Sequence, residues 1–327
     1  GEEFGTSGSG ARRWILDPID ATANYVRSIP IYGTLIALVE NDSRDGSYER
    51  FEDEIAARGW GKRVRLSKSP CNGGFSYGVN QGVRPSLASA DPAEYFYLLN
   101  SDAEPLPGSI RTLLDFLESH SEAGIAGSQI LGSDGALHET AFRFHNLISE
   151  LVAPIRGIPG LARLLDPHMV AMPIPERDTR VDWLAGASMM IRRQVFDAVG
   201  LFDERYFLYY EETDFCRRAH ERGFQTWYLP ASRVEHVGAA STGWKDFEKP
   251  RTPHWFRGRR YYWFKNHGRA VLWLANLAWI TGHLIGRAKA RLLGREYAQP
   301  PRLLRDFLRY TLSFAKIGPL LPVDRGL

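Results

Sequence analysis

Only two of the 327 residues are cysteine, Cys71 and Cys216, and only four are methionine. Two thiols cannot build a disulfide framework or a four-thiolate zinc site, and their scarcity favours a reducing, cytoplasmic setting. A long apolar run is missing too. The strongest stretch, 270–285 (AVLWLANLAWITGHLI), contains Asn276 and His283 and is short for a membrane span. No apolar leader opens the chain and no initiator Met precedes Gly1, so no secretion signal is read and the natural start is expected to lie elsewhere. Internal repeats and long low-complexity tracts are absent, as are a P-loop and a G-x-G-x-x-G fingerprint. With 44% hydrophobic and 24% charged residues, the composition excludes disorder, collagen and coiled coil. The length suits one large α/β domain or two modest ones.

The formal net charge of +3 hides an uneven distribution. Residues 250–327 hold 15 Lys/Arg against 3 Asp/Glu, which leaves the preceding body acidic. A basic tail on an acidic body is expected to face something anionic. Along the body, apolar runs at 12–16, 34–39, 63–66, 95–100, 123–131, 183–191, 225–230 and 232–237 read as strands. Helical spacing marks 47–58, 109–120 and about 211–222, and the Pro-rich stretch 144–180 reads as an irregular, substrate-covering loop. Strands alternating with helices predict an α/β fold, a mainly parallel sheet flanked by helices, with ligands at the carboxyl ends of the strands.

Five polar clusters could carry chemistry. Glu40-Asn41-Asp42-Ser43-Arg44-Asp45-Gly46-Ser47 follows a strand and serves either as a turn and helix cap or as a nucleobase or ribose contact. The segment 72–82 (NGGFSYGVNQG) reads equally as a glycine-rich turn and as a loop that lets backbone approach a ligand. Asn100-Ser101-Asp102-Ala103-Glu104 ends an apolar strand and could hold Mg²⁺ or Mn²⁺ through oxygen ligands, or be solvated. Glu211, Glu212 and Asp214 open a helix, where the dipole alone favours carboxylates; two neighbouring tyrosines could also raise one pKa enough for a general base. His236, after the last strand, is either structural or a metal ligand.

In order and separation these pieces resemble the family-2 glycosyltransferases, most closely the rhamnosyltransferase type. The counterparts are VENDSRDGS, NGGFSYGVNQG, LLNSD, GLFDERYFLYYEETDFCRR and His236, spread over about residues 39–270. The resemblance implies a GT-A (Rossmann-like) fold, a nucleotide-diphosphate-sugar donor linked to UDP or dTDP, a Mg²⁺ or Mn²⁺ ion, and inversion at the anomeric carbon. It implies that Glu40 contacts the nucleobase and that Asn72, Gly74 and Asn80 line the nucleotide pocket. Asp102 would bind the metal with His236 as second ligand. Glu212 would be the general base, with Glu211, Asp214 and Arg218 completing that helix start. Ser101 replaces the family's Pro, and Glu212 replaces its Asp, which moves the carboxylate by one methylene.

The first residues resemble a different family. Gly1-Glu2-Glu3 and Asp17-Pro18-Ile19-Asp20-Ala21-Thr22, followed by VRSIPIYGTLIAL, are similar to inositol monophosphatases and histidinol-phosphatases, in which Glu2, Asp17 and Asp20 would match metal ligands. Ala21 replaces a Gly, and the later W-D-x-A-A-G that supplies the distal carboxylate is missing. The expected organisation is a phosphatase-like piece at 1–38 that could replace the catalytic domain's first strand, a catalytic domain at 39–250, and a basic amphipathic helical tail at 251–327. Trp273, Trp279 and flanking Arg and Lys suit that tail to an anionic membrane interface. The chain is expected to transfer a sugar to a glycan or lipid-linked acceptor from the cytoplasm or the inner membrane face, with no nucleic-acid partner. The rival expectations are a sugar-phosphate phosphatase and a catalytically impaired binding protein.

Overall fold

The structure, a computed structural model, describes the backbone of residues 12–17 and 34 and all of residues 35–43, 45–155, 165–236, 249–294, 297 and 299–311. Glu2, Asp20, the Gly/Ser stretch 5–11 and the end of the tail lie outside the described residues, as does the Asp17 side chain.

In chain order the main elements begin with β1 (Arg12–Asp17), β2 (Thr34–Glu40), α1 (Ser47–Ala57), β3 (Val64–Lys68), α2 (Gly74–Leu87), β4 (Tyr95–Asn100) and β5 (Ala103–Pro105). There follow α3 (Ser109–Ser119), β6 (Ala123–Leu131), β7 (Ala141–Phe142), α4 (Leu147–Val152), β8 (Thr179–Val181), β9 (Trp183–Leu184) and β10 (Ser188–Arg192). The chain continues through α5 (Arg193–Val199), α6 (Glu211–Glu221), β11 (Gln225–His236), α7 (Pro253–Leu292) and α8 (Leu303–Thr311).

One large sheet organises the body in the order β3-β2-β1-β4-β10-β6-β11-β5, with β8 alongside β11. The RRWILD segment fills a central slot as β1, parallel to β2 on one side (Trp14 opposite Ile36) and to β4 on the other (Trp14 opposite Tyr97). Without it, two strongly apolar strands would each expose a row of unpaired backbone groups. A mainly parallel sheet was expected, but the sheet is mixed. β10 runs antiparallel between β4 and β6, and β5 and β8 pair antiparallel with β11. β6 is buried along nearly its whole length, as its uninterrupted apolar sequence demands. The two runs at 225–230 and 232–237 form one strand. Its register against β6 shifts between Leu229 and Arg233, where Pro230 has no N–H to give to the ladder.

Two segments differ from expectation. Most of 72–82 is helix α2 rather than a loop: the buried Phe75, Val79 and Val83 pack on the sheet and outweigh the low helix propensity of its glycines and of Pro85. In the stretch 144–180, α4 is anchored rather than loose. Buried Glu150 accepts from Trp263 Nε1 at 2.8 Å and pairs with the fully buried Arg259 guanidinium at 2.9 Å, tying α4 to α7. The basic tail is thus bound into the body through its first half, and α7 breaks at Gly268 (φ 81°) before its second half.

Candidate active site

Three parallel strands deliver their carboxyl ends to one edge of the sheet, and the polar clusters fall there. β2 ends in Glu40, which is 1% exposed. Its Oε1 accepts the Ser43 N–H across the turn, and its buried Oε2 has no hydrogen-bond partner among the described residues. Asn41 comes next, and its amide reaches across to the start of α2, donating to the Gly74 carbonyl at 3.0 Å and accepting from the Gly73 N–H at 3.4 Å. Asn72 Oδ1 accepts the Gly74 N–H at 3.1 Å. Gly74 is at φ 82°, and a Cβ there would lie 2.0 Å from the Phe207 carbonyl oxygen, so only glycine permits this contact. Asn72 and Gly74 therefore join the Glu40 turn to the segment that leads into α6.

β4 ends in Asn100, and Asp102 follows two residues later. Asp102 Oδ1 lies 2.9 Å from His236 Nε2 at the end of β11, 134 residues away in sequence. Asn100 Nδ2 lies 3.3 Å from the same nitrogen, and Asn100 Oδ1 is buried without a partner. Asp102 and His236 both keep part of their surface open to solvent. The described residues contain no group of three or more His, Cys, Asp or Glu placed to hold a metal ion. One carboxylate and one imidazole at an open edge fit a divalent cation that completes its shell with diphosphate oxygens and water.

The backbone links this edge to the acidic helix. The Asn100 N–H donates to the Ala187 carbonyl at 3.1 Å, and the neighbouring Gly186 N–H donates to Glu212 Oε1 at 3.0 Å. A Cβ on Gly186 would meet Glu212 Oε1 at 2.8 Å and Phe75 Cζ at 2.9 Å. Burial pushes the Glu212 pKa above the ordinary carboxylate value, although the residue as a whole keeps some exposed surface. Tyr209 and Tyr210, both at φ 73°, precede α6 in the left-handed region, a conformation that costs energy for any residue with a side chain. They turn the chain so that α6 starts with Glu211, which is buried, and Glu212.

Three expected site residues lie elsewhere. Asp214 is fully buried and accepts from Lys265 Nζ at 2.7 Å, Arg218 Nε at 2.9 Å, Tyr206 Oη at 3.2 Å and Asn266 Nδ2 at 3.3 Å. Arg218 spends its remaining donors on the Val199 and Leu201 carbonyls. Asn80, also fully buried, is used up on the Phe202 backbone and on Glu204 Oε1. Conversely, Asn41 and Gly186 stand in the site and were not singled out. Asn41 sat inside a quoted cluster, and the Gly-Ala pair between two apolar runs was the available signal for Gly186.

Comparison with known proteins adds two separate kinships. Residues 1–44 match the inositol monophosphatase family. The chain is 49% identical over 63 residues to a histidinol-phosphatase of Streptomyces coelicolor, which involves 19% of this chain and 23% of that enzyme. Far more of the chain is similar to the N-acetylglucosaminyl-diphospho-decaprenol L-rhamnosyltransferase of Mycobacterium tuberculosis, 28% identical over 278 residues, 78% of this chain and 84% of that protein. Among solved structures, the fold matches that of GalNAc-T7 with UDP, GalNAc and Mn²⁺, with a TM-score of 0.55 and 15% identity over 93% of this chain and 54% of that one.

Proposed function

We propose that this chain, a glycosyltransferase by its homology to a rhamnosyltransferase over 78% of its length, moves a sugar with inversion from a UDP- or dTDP-linked donor to a glycan or lipid-linked hydroxyl. In this reading Glu40, with its unpartnered buried oxygen, takes a donor hydrogen from the nucleobase. Asn72 and Gly74 shape the nucleotide side of the pocket. Asp102 and His236 hold the divalent cation, and the imidazole in that pair favours Mn²⁺ over Mg²⁺. When bound, the cation neutralises charge on the leaving diphosphate. Glu212 Oε2 removes the acceptor hydroxyl proton while Gly186 fixes Oε1. The acceptor oxygen forms its bond to the anomeric carbon as the bond to the diphosphate oxygen breaks on the opposite face. Glu211, Asp214, Arg218 and Asn80 act as positioning residues, too enclosed to meet substrate.

The observation that supports this reading is the backbone bridge Asn100–Ala187–Gly186–Glu212, which connects the Glu212 carboxylate to the strand end next to the Asp102–His236 pair. The same reading divides the chain into a phosphatase-like piece at 1–38 that lends β1, a catalytic domain at 39–250 and a helical tail at 251–327. It sets the enzyme in the cytoplasm, peripheral at the inner membrane face. The test is release of nucleoside diphosphate from a panel of UDP-, dTDP- and GDP-sugars, with and without Mn²⁺ and a polyprenyl-diphosphate-linked sugar. Turnover by one donor, lost in Asp102→Asn, is expected. Mg²⁺-dependent phosphate release from histidinol phosphate with no donor turnover would replace this reading with the phosphatase one.

A further inference from the structure

The second half of α7 has two faces, and the catalytic reading uses neither. The inner face packs on the body: Leu272, Ala275 and Trp279 are buried, and Trp279 stacks on Phe307 of α8 with ring centroids 3.8 Å apart and planes 7° from parallel. The outer face is apolar as well, and it is exposed. Trp273 (47% exposed), Leu277 (61%) and Leu284 (53%) follow at steps of four and seven, one line along the helix, with Leu274 and Ile285 beside them. The tail was expected to offer both tryptophans to a membrane. The packing separates them, Trp273 outward and Trp279 inward, because a spacing of six sets them about 120° apart around a helix.

The charges around this stripe have one sign. Exposed Arg269 stands at its start, and exposed Arg287 and Arg291 stand towards its end. On α8, Arg305 and Arg309 are exposed around Leu308. Among the described residues of 253–311 the one carboxylate is Asp306, and it is buried.

We propose that this face docks on an anionic lipid bilayer, with the Trp273–Leu277–Leu284 line sunk among the headgroups and the arginines on lipid phosphates. The proposal rests on the reading of a lipid-linked acceptor at the inner membrane face and assigns the surface that would bring the enzyme there. Charge complementarity selects the occupant. A second copy seated on the same face would bring cation against cation, with no exposed carboxylate among the described residues of 253–311 to offset them. Spanning is not the mode, since no helix among the described residues is long and apolar enough to cross a membrane. A half-packed, half-apolar helix with basic ends lies in the interface plane.

Cosedimentation of the full chain with vesicles tests this without recourse to catalysis. Vesicles of phosphatidylglycerol and phosphatidylcholine in equal parts should bind the chain at low salt, and binding should weaken about tenfold or more as salt rises past physiological strength. Phosphatidylcholine alone should bind much less. The double variant Leu277→Lys/Leu284→Lys should lose about tenfold or more in vesicle binding, while keeping its melting temperature and its turnover of a soluble acceptor analogue. Failure to sediment at low salt would overturn the proposal, and so would equal binding to neutral vesicles. A dimer in sedimentation equilibrium that the double variant dissolves would overturn it in favour of self-association. Vesicle binding by a chain that turns over no donor would keep the docking face and defeat the glycosyltransferase reading instead, so the two failures are distinguishable.

Discussion

The strand-end edge and the cluster around Asp214 are both rich in polar side chains, yet they are satisfied to different degrees. At the strand ends, Glu40 Oε2 and Asn100 Oδ1 are buried without partners, and Asp102 and His236 are partly open. Around Asp214 both carboxylate oxygens are engaged, by four side chains from three parts of the chain. A buried polar atom left unpaired is costly unless something arrives to pair it. The first region therefore reads as a receptor and the second as a clamp. Motif residues that look alike in sequence divide between these two roles.

Paired substitutions should separate the roles most sharply. Asp214→Ala takes the carboxylate partner from Arg218 and one of the two from Lys265, and should cost about 3 kcal/mol or more of stability in urea unfolding. Glu40→Gln should leave stability unchanged or raise it, yet abolish calorimetric binding of the donor nucleotide. Equal stability losses in both variants would erase the distinction. A smaller effect is expected where the two regions meet. Gly186→Ala pushes a methyl group against the Glu212 carboxyl, and kcat should fall about a hundredfold with the fold and donor affinity kept.

The smallest effect concerns acid. Burial alone would raise the Asp203 pKa, but hydrogen bonds from Arg205 and Lys265 outweigh it and hold the carboxyl well below its ordinary value of 3.8. Its stabilising contribution is thus complete above that value and disappears as pH falls towards the folded-state one. Lys265→Met should flatten part of the acid limb of a melting-temperature profile, whereas a change at neutral pH alone would assign Lys265 a packing role.

Much of this was legible from the sequence. Local periodicity set α3 at Ser109–Ser119 and the buried run of β6, because each carries its own apolar pattern. The pairing of Asp102 with His236 was legible only through the order of the motifs, since nothing local joins residues 134 positions apart. The direction of β10 was hidden, because a five-residue apolar strand reads the same either way. The internal partners of Asn80 and Arg218 were hidden for a related reason. A conserved-looking polar residue in a motif looks identical whether it meets a ligand or a distant backbone carbonyl, and Phe202 lies 122 residues from Asn80. The N-terminal strand posed the opposite difficulty. Its sequence resembles another family, while its backbone pairs in register with β2 and β4.

Glu212 is the pivotal residue of the proposed transfer, and the most direct test is the pH dependence of nucleoside diphosphate release by the wild type and by Glu212→Gln. A base must be deprotonated to act, so wild-type kcat/KM should climb with pH through an inflection above the ordinary glutamate value of 4.5. The raised folded-state pKa also means that ionised Glu212 is a stability cost which grows as pH rises through that range, so Glu212→Gln should melt no lower than wild type at neutral pH. The variant should bind donor normally, lose about a thousandfold or more in turnover and show no such inflection. A variant that kept wild-type turnover and the same pH limb would contradict the assignment of Glu212 as the base.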